Sequence, residues 1–222
     1  MACFALAHMS CAGAWAWGEV PDRLRAAGHE VVVPDLPLEA GVTPSDHADD
    51  LAAAVGEDRP EGSVVVAGHS YGGLVTPAAA ERLGPAAAAL VVVDGFVIDG
   101  GQSASDVHPA RIQPRRDEAA ARGDGMWTAG EPPELEPAWW SRMTPMPISA
   151  FEAPVPLTGV AAQLPSWFVW CLRSDFADQA ARARERGWTV VEVDAVHVLP
   201  LVDPGACVEV LLDAARSVRP SP

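Results

Sequence analysis

The stretch Gly68-His69-Ser70-Tyr71-Gly72-Gly73 decides how this chain folds. It follows the apolar run Val64-Val65-Val66-Ala67 and leads into Leu74-Val75-Thr76-Pro77-Ala78-Ala79-Ala80. In order, that is a strand, a sharp turn carrying G-x-S-x-G, and a helix, the context in which the pattern reads as a nucleophile elbow. The turn is so tight that the residues two before and two after the serine must lack side chains, and Gly68 and Gly72 meet that need. The Ser70 hydroxyl is then held at the tip, with a helix N-terminus beneath it. A glycine-rich turn with an incidental serine is the plainer alternative, and it has no use for the partner residues found farther along.

Outward from the elbow, short apolar runs alternate with helix-like segments. The expected strands cover 3–7, 30–33, 63–67, 89–93, 167–171 and 189–193; they are nearly continuous in apolar character, as strands covered on both faces are. Helices are expected at about 15–27, 45–56, 71–83, 176–186 and 204–216 from the helical pattern between the strands. Asp203-Pro204 opens the last one as N-cap and first helical residue, and Gly187 stops the one before it. This alternation gives an α/β class, a doubly wound, mainly parallel sheet of about six strands. The rhythm breaks from 95 to 165, a segment rich in proline, with Trp127, Trp139 and Trp140 and no clear strand. A structureless loop of that length is improbable in a compact domain, so the segment is expected to be a small inserted cap. Its tryptophans and methionines either line an apolar pocket over Ser70 or seat the cap on the core.

The chain has 222 residues, 49% of them apolar, enough for one domain (1–222) with a full core. Fifteen basic against 30 acidic residues leave a net charge of −15, with no basic footprint for nucleic acid or an anionic membrane. Cys3, Cys11, Cys171 and Cys207 form no C-x-x-C pair and read as packed, reduced thiols of a cytoplasmic protein. A basic leader is not apparent, and no run reaches the length of a membrane span. The six histidines are dispersed without metal-ligand spacing, so neither a metal nor another cofactor is expected, and the partner is a small-molecule substrate.

A serine hydroxyl needs a base within hydrogen-bond reach, and the base needs an orienting acid. His197, in Val193-Asp194-Ala195-Val196-His197-Val198, follows the last expected strand, where sites lie in parallel sheets. The chain order Ser, acid, His points to Asp175, just past the strand at 167–171. Asp175 also suits a helix N-cap, so Asp94, directly after the strand at 89–93, stays open as the alternative acid, with Asp99 or no acid behind it. Donors for a developing oxyanion are expected from the backbone N–H of Tyr71 and from Ser10 or Met9 in the loop after the first strand.

With these residues in place, the chain resembles the α/β-hydrolase superfamily, and within it the compact methylesterase/hydroxynitrile-lyase-like group. Phe4-Ala5-Leu6-Ala7-His8 and Gly13-Ala14-Trp15-Ala16-Trp17 match that group's opening strand and loop. The run from Leu24 through Gly28-His29-Glu30-Val31-Val32-Val33-Pro34-Asp35 to Pro37 matches its next unit, as do the elbow and the His197 loop. Three positions depart from the pattern. Met9 stands where the esterases usually have glycine. The acid position implied by the resemblance falls on Ser174, with Asp175 one residue later. The threonine and lysine of the lyases are replaced by Met9 and Val198.

The resemblance implies a cofactor-free serine esterase acting on a small, largely apolar carboxylic ester. Ser70 is then the expected nucleophile and His197 the base; chain order rather than the resemblance favours Asp175 as the acid, and His8, Trp127, Trp139 and Trp140 are expected to line the substrate pocket. The alternatives are a lyase, elimination or cyclisation on the same fold, and a non-catalytic binding protein with a degenerate site.

Overall fold

The computed structural model describes residues 1–56, 59–130 and 137–218. Six parallel strands form the main sheet: β1 (Cys3–Ala7), β2 (Glu30–Val32), β3 (Val64–His69), β4 (Ala87–Val93), β7 (Ser166–Cys171) and β8 (Thr189–Val193). Their spatial order is β2-β1-β3-β4-β7-β8, and every neighbouring pair is parallel. The expected α/β class and doubly wound sheet are both present, each strand lying within two residues of its expected bounds.

Side-chain alternation along the strands explains why the sheet is covered twice. Cys3, Ala5, Ala7, Val64, Val66, Leu90, Val92 and Phe168 face one core, with Leu51, Leu74 and Phe96. Phe4, Leu6, Val65, Ala67, Val91, Val93 and Val169 face the other, with Trp17, Leu24 and Leu211. A period of two sends successive residues to opposite faces, so continuous apolar runs serve two layers of helix at once. One layer holds α2 (Pro44–Val55) and α3 (Gly72–Leu83), and α1 (Val20–Ala26) packs on α10 (Pro204–Ser217) in the other. A capping box at Thr43 and Asp46 starts α2, and the Asp203 carboxylate caps α10 by accepting from the Ala206 N–H.

Between β4 and β7 lie the short helices α4 (Ala104–Val107), α6 (Pro137–Trp140) and α7 (Ser149–Glu152), the longer α5 (Pro109–Arg122), and a two-residue antiparallel pair, β5 (Met126–Trp127) with β6 (Met146–Pro147). The 14-residue α5 was not legible beforehand because Pro109 and Pro114 both fall in it. Pro109 sits at the first helical position, where its missing N–H costs nothing, and Gly123 ends the helix at φ 76. The insertion is tied to α8 (Ala177–Glu185): the Gln179 side chain accepts from the Val97 N–H and donates to the Val107 carbonyl. α9 (Leu199–Val202) follows the His197 loop. Among the described residues, no helix is long and apolar enough to cross a membrane.

Candidate active site

The elbow is a consequence of close approach. A Cβ on Gly68 would lie 2.2 Å from the Gly72 carbonyl oxygen, and one on Gly72 would lie 2.4 Å from the Ala7 carbonyl oxygen. Ser70 between them adopts φ 55, and its N–H donates to Val93 O at 3.0 Å, locking the turn onto the end of β4. Such a conformation is disfavoured for a residue with a side chain and persists only where its surroundings enforce it. Tyr71 anchors the far side: its buried hydroxyl meets His47 Nδ1 at 2.7 Å, while His47 Nε2 reaches the Pro37 carbonyl at 2.6 Å.

Ser70 Oγ lies 2.9 Å from His197 Nε2, and His197 Nδ1 lies 2.7 Å from Asp94 Oδ2. Asp94 is fully buried. Its other oxygen accepts from the Cys171 N–H at 3.0 Å and the Ser174 hydroxyl at 2.8 Å, so the carboxylate's desolvation is met by three donors. The expectation that Asp175 would hold His197 is therefore corrected. Asp175's carboxylate instead pairs with Arg111. Burial raises its pKa, but Arg111 more than offsets this and holds it below the usual carboxylate range. The alternative acid, Asp94, occupies the place against the imidazole. Ser174, the position implied by the resemblance, supports that acid through its hydroxyl. Because β4 and β7 are neighbours in the sheet, loops after either strand reach the same histidine. Asp99 pairs with Arg182 and Arg186 instead.

Two buried histidines hold the loops around this relay. His69 Nε2 lies 2.8 Å from the His197 carbonyl, tying the elbow to the loop that carries His197. His8 was expected in the substrate pocket, yet it is fully buried and structural. It accepts from the Leu36 N–H at 3.0 Å and donates to the Met9 carbonyl at 2.8 Å, fixing the Met9-Ser10 loop from behind. Burial lowers the pKa of His8 to about 4 and that of His69 to about 3, against an ordinary value of 6.5. The unfolded chain therefore takes up protons first as pH falls below 6.5, and stability present above that pH is lost toward pH 4 and then 3. Urea melts are expected to show a loss at pH 5, relative to pH 7.5, of at most about 2 kcal/mol per histidine; equal midpoints would contradict it.

Beside His197 lies a cavity of about 510 Å³ lined by Met9, Ser10, Trp127, Met143 and Val198 together with Arg111, Arg115 and Asp175. Ser70, only 4% exposed, is one hydrogen bond beyond the His197 edge. Trp127 is among these lining residues. Trp139 and Trp140 are not among the lining residues; they pack with Met9, Ala12, Ala16 and Val198 in a satellite cluster, Trp139 stacked on Trp15 at 5.5 Å. These two seat the insertion. Among the described residues, the Tyr71, Met9 and Ser10 amides, the expected oxyanion donors, make no backbone hydrogen bond. Phe176 stacks on His197 at 5.1 Å between ring centroids and 7° between planes, a partner the sequence reading did not single out.

Known proteins resemble this chain in sequence and in shape. A carbendazim-hydrolyzing esterase of Nocardioides sp. (strain SG-4G) is 32% identical over 123 residues, covering 51% of this chain and 50% of that protein. Methylesterase 8 of Arabidopsis thaliana is 33% identical over 113 residues, covering 47% and 41%. The matches therefore span half or less of those curated relatives. An extracellular alpha/beta-hydrolase from a Paenibacillus species, described as sharing structural and functional homology with tobacco salicylic acid binding protein 2, superposes with a TM-score of 0.83. It is 20% identical and covers 97% of this chain and 100% of that one, which speaks for the fold. The sequence profile of the alpha/beta hydrolase family matches residues 6–210. With an elbow, a histidine loop and a parallel sheet in the places that profile spans, the chain belongs to the alpha/beta hydrolase family.

Proposed function

We propose that this protein is a serine hydrolase that cleaves a carboxylic ester through an acyl-enzyme on Ser70. The carrying observation is the unbroken relay at the elbow, 2.9 Å from Ser70 Oγ to His197 Nε2 and 2.7 Å from His197 Nδ1 to Asp94. Its similarity to esterases, including methylesterases, supports the reaction class.

In this reading, Ser70 Oγ attacks the ester carbonyl as its proton passes to His197 Nε2. The carbonyl oxygen takes the negative charge, and the Tyr71 amide with that of Met9 or Ser10 donates to it. Asp94 keeps the His197 Nδ1 proton in place, so Nε2 is free to accept, and it stabilises the imidazolium that forms. His197 returns the proton to the leaving alkoxide, which departs as the alcohol. Water then attacks the acyl-enzyme by the same route, giving the carboxylic acid and free Ser70. Met9, Trp127, Met143, Val196 and Val198 give part of the cavity an apolar wall, consistent with a substrate that is largely hydrocarbon. The four cysteines are buried and unpaired, which supports a reducing compartment, the cytoplasm, as its working place.

Rapid mixing with p-nitrophenyl acetate tests this. A burst of nitrophenol approaching one equivalent per chain, followed by slower turnover, is expected from wild type, and Ser70→Ala should lose at least about 10³-fold in rate. Turnover retained in Ser70→Ala would favour an elimination or cyclisation that needs no nucleophile.

A further inference from the structure

The cavity beside His197 carries more positive charge than an apolar ester needs. Arg111, Arg115 and Arg173 all line it, in a chain with twice as many acidic as basic residues. Two of the three are already paired: Arg173 with Asp194 at 3.2 Å, and Arg111 with Asp175. Arg115 has no carboxylate partner among the described residues. Its guanidinium lies over the Trp127 ring, 4.6 Å from the centroid, and 5.8 Å from that of Phe151. One terminal nitrogen donates to the Arg111 carbonyl, and its Nε is buried with no hydrogen-bond partner. Burial, then the like charge of Arg111, lower its pKa to about 10, which leaves it a cation at neutral pH.

A partly buried guanidinium with no contact carboxylate is costly unless an anion meets its terminal nitrogens. Its position supplies a reason to keep it. Arg111, one helical turn earlier on α5, lies 4.4 Å over the Phe176 ring that itself stacks on the His197 imidazole. Arg111 therefore lies behind the ring that stacks on His197, and Arg115 lines the same cavity as His197. Asp175 pairs with Arg111 and Asp194 with Arg173, while Asp175 and Glu118 act on Arg115 only at longer range, so Arg115 alone of the three lacks a contact carboxylate. That matches a monoanion, and the planar guanidinium fork matches a carboxylate.

We propose that the ester cleaved at Ser70 carries a free carboxylate, as a half-ester of a dicarboxylic acid does, and that Arg115 binds it. The proposal rests on the serine-esterase reading above and adds its substrate class. The apolar wall takes the chain between the two carboxyl groups, and the arginine takes the far end.

Monomethyl adipate and dimethyl adipate, assayed with wild type, Arg115→Gln and Arg115→Lys, test the proposal. Wild type is expected to prefer the half-ester. Arg115→Gln should lower kcat/KM for the half-ester by about 30-fold or more, the scale of a truncated buried charge pair. The loss for the diester should be at least about tenfold smaller, and Arg115→Lys should recover part of the half-ester loss. A wild type that prefers the diester, or a half-ester to diester ratio unchanged in Arg115→Gln, would overturn the proposal. Calorimetric binding of hexanoate and hexanamide to wild type and Arg115→Gln separates this from the catalytic reading. Hexanoate bound at least about tenfold more tightly by wild type, with that preference lost in Arg115→Gln, supports the carboxylate site even if no ester is turned over. Equal affinities, or no binding of either, overturn it even if Ser70 proves to be an active nucleophile.

Discussion

Asp94→Asn is expected to lower kcat/KM for a neutral ester by about 10³- to 10⁴-fold while leaving the fold intact. The amide has the shape of the carboxylate, and its oxygen still accepts from the Cys171 N–H and the Ser174 hydroxyl. Its nitrogen then faces His197 Nδ1. Being a donor, it turns Nδ1 into an acceptor and moves the imidazole proton to Nε2, where it blocks uptake of the Ser70 proton. Asp175→Asn separates the two aspartates. Its carboxylate is engaged with Arg111 rather than with His197, so a neutral ester should be turned over within about threefold of wild type, the modest effect of losing one ion pair. Steady-state kinetics on both variants, with circular dichroism to confirm folding, decide the assignment. A large loss in Asp175→Asn with little in Asp94→Asn would reverse it.

The largest stability effect is expected at the elbow. Gly68→Ala would place a methyl group 2.2 Å from the Gly72 carbonyl oxygen and 2.3 Å from Thr76 Oγ1, both in or beside α3. Neither is the free end of a flexible chain. Thr76 is fully buried, with its hydroxyl donating to Gly72 O at 2.8 Å. Relief requires α3 to move off β3, where it packs through Leu74, Val75 and Ala78. A loss beyond about 4 kcal/mol is expected, or failure to accumulate as folded protein. Gly84→Ala is the control: its Cβ would meet nothing within 4 Å, so only the backbone strain of a side chain at φ 55 remains, about 1–3 kcal/mol. Urea midpoints of the two variants check this, and similar values would mean that the tight turn is not the constraint.

Much of this architecture was legible in the chain because burial on both faces writes a plain signal. β1, β3, β4 and β7 are continuous apolar runs, and Gly68 and Gly72 flank Ser70 at the spacing the turn requires. The acid was harder. Asp94 and Asp175 each follow a strand, and sequence order cannot say which of two neighbouring loops reaches His197. One signal was present: Asp94 precedes Gly95, whose Cβ would lie 2.5 Å from the Ser70 carbonyl. That pair therefore turns under the elbow. Composition also could not say that Trp127 lines the cavity while Trp139 and Trp140 seat the insertion in a satellite cluster, and so the three were grouped together. Arg111 and Arg115 were hidden in the proline-rich insertion, where no helix was expected. Their spacing of four, on the face between buried Ile112 and Ala119, was the only sign that they point inward.

The central claim is that Ser70 is an activated nucleophile. Its most direct test is the intact mass of wild type and Ser70→Ala after exposure to a fluorophosphonate, which phosphonylates a serine oxygen only where a base removes its proton. One adduct on wild type and none on Ser70→Ala is the predicted result. A folded wild type that takes no adduct, or a Ser70→Ala variant that takes one equally well, would contradict the account.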